Sequence, residues 1–259
     1  MDGTVSTETE DRIRTITFSN PAKRNALSPA MLDAFVAALD EAAEDDTRVV
    51  VVRSGADSDS FSAGFDLSVF GEGSDPDETE AIFDRFVRRL RSFDFPVVAM
   101  IDGATWGGGV ELALTCDLQV ASTEASFGLP PAKLGILYPA RGIQRFLHVL
   151  GPSDASELLY TADPVDADRA SEMGLVNDVV PPTELEARAY ELAGSIASNA
   201  PRSLVGMKKI IRAFLDQSTL SPAEQEWVFG LRQEAYESDD HSEGLAAFEE
   251  DRTPEFEGQ

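Results

Sequence analysis

Hydrophobic and polar positions change period several times along these 259 residues. Residues 11–18 (Asp11 to Phe18) alternate Ile13, Thr15 and Thr17 with Arg12, Arg14 and Ile16, which predicts a strand that Asn20-Pro21 then breaks. Ser28-Pro29 predicts a helix start, with Ser28 as N-cap and Pro29 at the first helical position. Met31, Leu32, Phe35, Val36 and Leu39 give that helix an apolar stripe. Val49-Val50-Val51-Val52 reads as a short strand buried on both faces, as does Pro96 to Ile101. Residues 54–60 read as a loop, and so does the Gly/Asp/Pro-rich stretch 71–77. An amphipathic helix is expected through Phe83, Phe86, Val87 and Leu90, another from about Val110 after Gly107-Gly108-Gly109, and a strand over Leu118–Ala121. From about Glu184 the pattern is helical, with helices through Met207–Phe214 and Glu224–Tyr236. Strands alternating with helices predict an α/β fold. The expected organisation is an α/β core over residues 1–195 and a helical region over 196–259.

Charge changes the picture more than composition does. Asp and Glu number 47 against 21 Lys and Arg, a formal net charge of -26. Only Lys23, Lys133, Lys208 and Lys209 are lysines. The acids are spread along the chain, and such a surface repels itself until salt screens it. We read this as adaptation to a saline cytoplasm. It argues against nucleic acid as a partner, because phosphate binding needs a cationic patch. No apolar run approaches the roughly 18–20 residues that span a bilayer, and the first residues lack a basic-then-apolar leader. Cys116 is the single cysteine, so no intrachain disulfide forms, and a cytoplasmic location is expected.

Two glycine-containing turns follow predicted strands, Phe61-Ser62-Ala63-Gly64-Phe65-Asp66-Leu67 and Gly103 to Glu111. Glycines at a helix start let a ligand approach the backbone, where the amides of the first turn and the helix dipole favour negative charge. A thioester oxygen that becomes an oxyanion gains most from such donors in the transition state. Either turn alone is weak evidence. The pair, about 40 residues apart, resembles the two signature segments of the crotonase (enoyl-CoA hydratase/isomerase) superfamily. Asn25-Ala26-Leu27, Phe127-Gly128, Lys133-Leu134-Gly135 and the ending Tyr236 to Phe248 also resemble that family, from about Asp11 to Gly258.

The resemblance implies a crotonase-like (ClpP/crotonase) ββα spiral core with a helical C-terminal trimerisation region, and homotrimers or homohexamers. Coenzyme A would be part of the substrate, with no separate cofactor and no metal. It implies that Phe65 and Gly108 form an oxyanion hole, that Ala63, Asp66 and Leu67 border the adenine and pantetheine, and that Lys23 and Arg24 lie near the phosphates. Ala26, Gly107 and Pro131 belong to the matching binding segments. Glu111 matches one of two catalytic glutamates of family hydratases. In an apolar pocket its carboxyl would titrate high and relay protons. Pro131 stands where the second glutamate is expected, and it transfers no proton.

Leu134 to Tyr138 resembles the methylmalonyl-CoA decarboxylase branch, in which a tyrosine at this point faces the substrate carboxylate. Arg141, three positions on, is a candidate partner for an anionic substrate group. The main expectation is an enoyl-CoA hydratase/isomerase-family enzyme that stabilises a thioester enolate. Decarboxylation is the close alternative, and a non-catalytic acyl-CoA binder is the reading from another class. His148 and His241 are expected to be structural or on the surface, Cys116 a buried small residue, and Asp117 structural at a helix end.

Overall fold

The computed structural model describes residues 3–66, 68, 76–215, 222, 223, 226, 229, 230, 233, 236–252 and 254. The chain opens with a hairpin, β1 (Thr4–Glu10) and β2 (Ile13–Ser19), turned at Asp11-Arg12, both at positive φ. There follow α1 (Pro29–Glu44), β3 (Val49–Ser54), β4 (Ser60–Ser62), α2 (Pro76–Ser92), β5 (Val97–Ile101), β6 (Ala104–Trp106) and α3 (Gly108–Thr115). Then come β7 (Leu118–Ser122), β8 (Ser126–Gly128), α4 (Ala140–Thr161), β9 (Val165–Asp166), α5 (Ala167–Glu172) and β10 (Asp178–Val180). The chain continues through α6 (Pro182–Ala197), α7 (Pro201–Leu215) and α8 (Asp239–Glu249).

Two sheets form. The larger runs β1-β2-β3-β5-β7-β10, and the smaller runs β4-β6-β8-β9. Each of three successive units gives a long strand to the first sheet, a short one to the second, and then a helix: β3-β4-α2, β5-β6-α3 and β7-β8-α4. Within each sheet these strands pair in parallel, so the units stack as turns of a ββα spiral. The expected α/β class holds, and so does the spiral.

The apolar strands are buried on both faces, for a period-2 reason. Val50, Val52, Ala99 and Ile101 join the core that contains α1, α2 and α3. Val49, Val51, Val98 and Met100 face the other way, onto Leu185, Ala189, Ala193, Ile196 and Ala197 of α6. Burying each such Val or Ile side chain stabilises by roughly 1.5–3 kcal/mol. The small residues of α6 recur every four positions, which lets the helix lie close to the sheet.

Several expectations shift. β1 was not predicted, because its residues are nearly all exposed and polar. Residues 54–60 are a loop only up to β4, and β6 and β8 are three-residue strands too short to show a period. α3 starts at Gly108 rather than near Val110. The boundary expected after residue 195 falls inside the last turn of α6, and the break between helices lies at residues 198–200. Of the helix expected over Glu224–Tyr236, the described residues Glu226, Phe229, Gly230, Gln233 and Tyr236 are helical. Of the loop expected over 71–77, residues 71–75 lie outside the described residues, and residues 76 and 77 already belong to α2. Among the described residues no helix is long and apolar enough to cross a membrane.

Candidate active site

The two glycine turns follow the ends of neighbouring strands of the small sheet. β4 and β6 pair in parallel, so the segments that leave their ends lie side by side. Phe65 forms a parallel bridge with Leu27 through Leu27 N–H to Gly64 O (2.7 Å) and Asp66 N–H to Leu27 O (3.0 Å). Neither bond uses the Phe65 amide, which by the pattern of a parallel bridge faces the opposite side. The Gly108 amide is there. A methyl built on Gly108 would sit 3.1 Å from Phe65 N, and one on Gly64 would sit 3.1 Å from Gly108 N. Gly107, at φ 49 and ψ -112, is the N-cap of α3 and turns the chain into its first residue, Gly108. Gly107 N–H itself is tied to Gly128 O at 2.9 Å. Gly64 is required here twice over, by a φ of +95 and by Trp106 O only 2.7 Å from any β-carbon.

These amides open on a cleft of about 1020 Å³. Lys23, Arg24, Ala26, Ala63, Phe65, Asp66, Gly107, Gly108, Glu111, Pro131 and Tyr138 of the sequence-predicted set all line it. Leu67 lies outside the described residues. Arg141 is not in the cleft wall. Its guanidinium goes instead to Asp84 on α2 at 2.7 Å, where the buried carboxylate also holds Arg88. Lys23 is engaged as well, with Nζ 2.6 Å from Asp66 Oδ2 and 3.1 Å from Ser68 Oγ. Burial would raise the Asp66 carboxyl, but hydrogen bonds from Lys23 and Ser68, with the Lys23 charge, hold it below the ordinary value.

Glu111 lies one turn into α3 from Gly108 and is buried. It does not sit in the apolar surroundings expected of it. Its Oε2 accepts the Tyr138 hydroxyl at 2.6 Å. Its Oε1 accepts Arg145 Nε at 2.9 Å and a second, shorter bond from the Arg145 terminal nitrogen. Burial, the Glu111 charge and the bond to Glu111 raise the Tyr138 phenol well above its ordinary value, so it stays protonated. Gly142 on α4 makes room for the group, since a β-carbon there would lie 2.3 Å from the Tyr138 ring and 3.3 Å from Glu111 Oε2.

Arg145 was not picked out from the sequence. The signal was present: Gly142, Phe146 and Leu150 form the buried stripe of α4, and Arg145 lies beside it, three residues after Gly142. Phe83 was missed too. It packs edge-on to Phe65 at 5.9 Å and walls the cleft beside Gly108. The remaining candidates do not line the cleft. Asp117 accepts Val97 N–H and Lys208 Nζ, at 2.7 and 2.5 Å, Cys116 is buried, and His148 is exposed. Among the described residues no cluster of three or more His, Cys, Asp or Glu is arranged to hold a metal.

Comparison with known proteins agrees with this fold. The sequence pattern of the family described as Enoyl-CoA hydratase/isomerase matches residues 8–259. Methylmalonyl-CoA decarboxylase of Escherichia coli (strain K12) is 32% identical over 255 residues, covering 98% of each chain. The 2,3-dehydroadipyl-CoA hydratase of the same organism is 34% identical over 251 residues, covering 96% of this chain and 97% of that one. The solved structure of methylmalonyl-CoA decarboxylase complexed with 2S-carboxypropyl-CoA superposes with a TM-score of 0.94 at 32% identity, covering 98% of each chain.

Proposed function

Because the chain belongs to the enoyl-CoA hydratase/isomerase family, we propose that it decarboxylates a 2-carboxyacyl-CoA of the methylmalonyl type and holds the resulting enolate between the amides of Phe65 and Gly108. The protein is an enzyme of acyl-CoA thioesters, and coenzyme A enters as part of the substrate. The observation that carries the reaction type is the state of Glu111. Both of its oxygens are taken, one by the Arg145 guanidinium and one by the Tyr138 hydroxyl. Pro131 lines the cleft where a second glutamate would be needed. Decarboxylation needs no base to remove a carbon-bound proton. The bond from Cα to the carboxylate breaks, carbon dioxide leaves, and the electron pair moves onto the thioester oxygen. A proton then returns to Cα from the Tyr138 hydroxyl or from water. Two aimed amides suit the oxyanion, and removing one such donor typically costs about 10²–10³ in kcat.

In this reading the nucleotide end of the substrate borders Lys23, Arg24, Ala26, Ala63 and Asp66, while the acyl end reaches Phe65, Gly107, Gly108, Pro131 and Tyr138. The region 196–259, with Met207, Ile210, Ile211 and Leu215 exposed on α7, is the proposed oligomerisation surface of a trimer or hexamer. The proposed compartment is a saline cytoplasm.

A second reading is hydration or isomerisation of an enoyl-CoA. The position of Glu111 one turn after Gly108 favours it, and it requires Glu111 to leave Arg145 and Tyr138 when substrate binds. The test is to incubate the purified protein in molar KCl with methylmalonyl-CoA, crotonyl-CoA and a 3-enoyl-CoA. The expected products are carbon dioxide and propionyl-CoA, with slower release by Tyr138→Phe. Turnover of either enoyl-CoA without carbon dioxide release from methylmalonyl-CoA would instead establish the second reading.

A further inference from the structure

Arg145 joins two helices that the sequence keeps far apart. It reaches Glu111 across 34 positions, and the pair is buried, with side-chain exposures of 13% and 4%. Guanidinium, carboxylate and phenol stand in series, from Arg145 through Glu111 to Tyr138. We infer that Arg145 is a positioning residue that selects the reaction: it holds Glu111 as a charge-paired acceptor and so prevents it from removing a proton from the substrate α-carbon. The inference rests on the decarboxylation reading and deepens it.

A general base needs a lone pair aimed at the substrate and a gain on protonation. Glu111 has neither. Oε1 receives two bonds from one planar guanidinium, so protonating it would strand a buried cation. Oε2 faces the Tyr138 proton. The high-titrating phenol closes the remaining route, because its anion is not populated near neutrality. The site therefore returns a proton to an enolate made by loss of carbon dioxide, but does not withdraw one from an acyl-CoA. A purely structural Arg145–Glu111 clamp would make a different prediction: removing Arg145 would lower stability and every activity together.

In the variant Arg145→Met, Oε1 of Glu111 is released while Oε2 keeps the Tyr138 hydroxyl. Oε1 takes a proton from Cα, the C–H electron pair moves to the thioester oxygen, and the proton that returns from Glu111 carries the solvent isotope. The experiment incubates propionyl-CoA with enzyme in deuterium oxide and follows α-hydrogen exchange by mass spectrometry, with carbon dioxide release from methylmalonyl-CoA measured separately. The expected result is negligible exchange by the natural enzyme and a gain on the order of 10²-fold in Arg145→Met. Exchange in that variant should fall back in the double variant Arg145→Met/Glu111→Gln. Arg145→Lys keeps the charge without the planar fork and should show a smaller gain, which preserves the test if the Met variant does not fold. A folded variant with no gain overturns the inference. So does natural enzyme that exchanges α-hydrogen as fast as it turns over, a measurement that needs no variant. Absence of carbon dioxide release by the natural enzyme removes the decarboxylation reading and the choice of reaction that rests on it, whereas a folded Arg145→Met that releases carbon dioxide normally and gains no exchange overturns the inference alone.

Discussion

At Gly108 the absence of a side chain matters more than any side chain nearby. An added methyl would lie 3.1 Å from Phe65 N and 3.2 Å from the Phe83 ring, inside the space between the two amides. Gly108→Ala is therefore expected to lower kcat by about 10²–10³ while changing the thermal midpoint little, since alanine favours the helix. Steady-state kinetics beside a melting curve checks this, and unchanged kcat would move the oxyanion away from these amides. Asp66 permits a second test. Its carboxyl titrates below the ordinary value in the folded protein. The sign follows: its contribution is complete above the unfolded-state pKa and is lost as pH falls through the lower folded value. The midpoint of the natural protein should exceed that of Asp66→Asn near neutrality, with the gap closing in acid. A gap that persists unchanged through that range contradicts the Lys23–Asp66 linkage. The glycine pair was readable from sequence, because only glycine meets such backbone demands. The partners of Glu111 were not, because they lie 27 and 34 positions away.

Elements decide which of those residues meet. α4 faces α3 at Gly142, where a β-carbon would lie 3.3 Å from Glu111 Oε2 and would collide with the Tyr138 ring at 2.3 Å. Gly142→Ala should displace that ring, lengthen or break its bond to Glu111, and slow turnover even though it adds a better helix former. A crystal structure of the variant with its kinetics checks this, and an unmoved Tyr138 with full activity contradicts it. The long apolar strands and the amphipathic helices were legible, because burial on two faces or one stripe leaves a period. Val49 to Val52 and the Met31–Leu39 stripe are examples. The short strands β4, β6 and β8 leave none, although β4 and β6 carry the two glycine turns. β1 was hidden for the opposite reason: an exposed edge strand keeps polar residues throughout.

At the scale of the whole molecule the surface charge of -26 acts on everything beneath it. Ion pairs such as Arg14 with Glu41 and Asp45 offset part of the repulsion locally, but cations are too few to neutralise the rest. Raising salt shortens the screening length from about 10 Å at 0.1 M to about 3 Å at 1 M. The urea midpoint is expected to rise steadily from dilute buffer to molar KCl. A midpoint that is flat or falls with salt would refute the saline adaptation.

The runs of apolar residues were enough for the α/β class, and the two glycine turns, through the resemblance they carry, for the family, its spiral and the expectation that Phe65 and Gly108 offer their amides. Each of these depends on local backbone demands or on a period that repeats along the chain. The tertiary structure alone decided the state of Glu111. Whether a buried carboxylate acts as a base depends on what lies against it, and here those neighbours are Arg145 and Tyr138, brought in by packing α4 on α3. It also turned Arg141 away to Asp84, because a buried acid on a neighbouring helix offers a guanidinium a nearer partner than the cleft does.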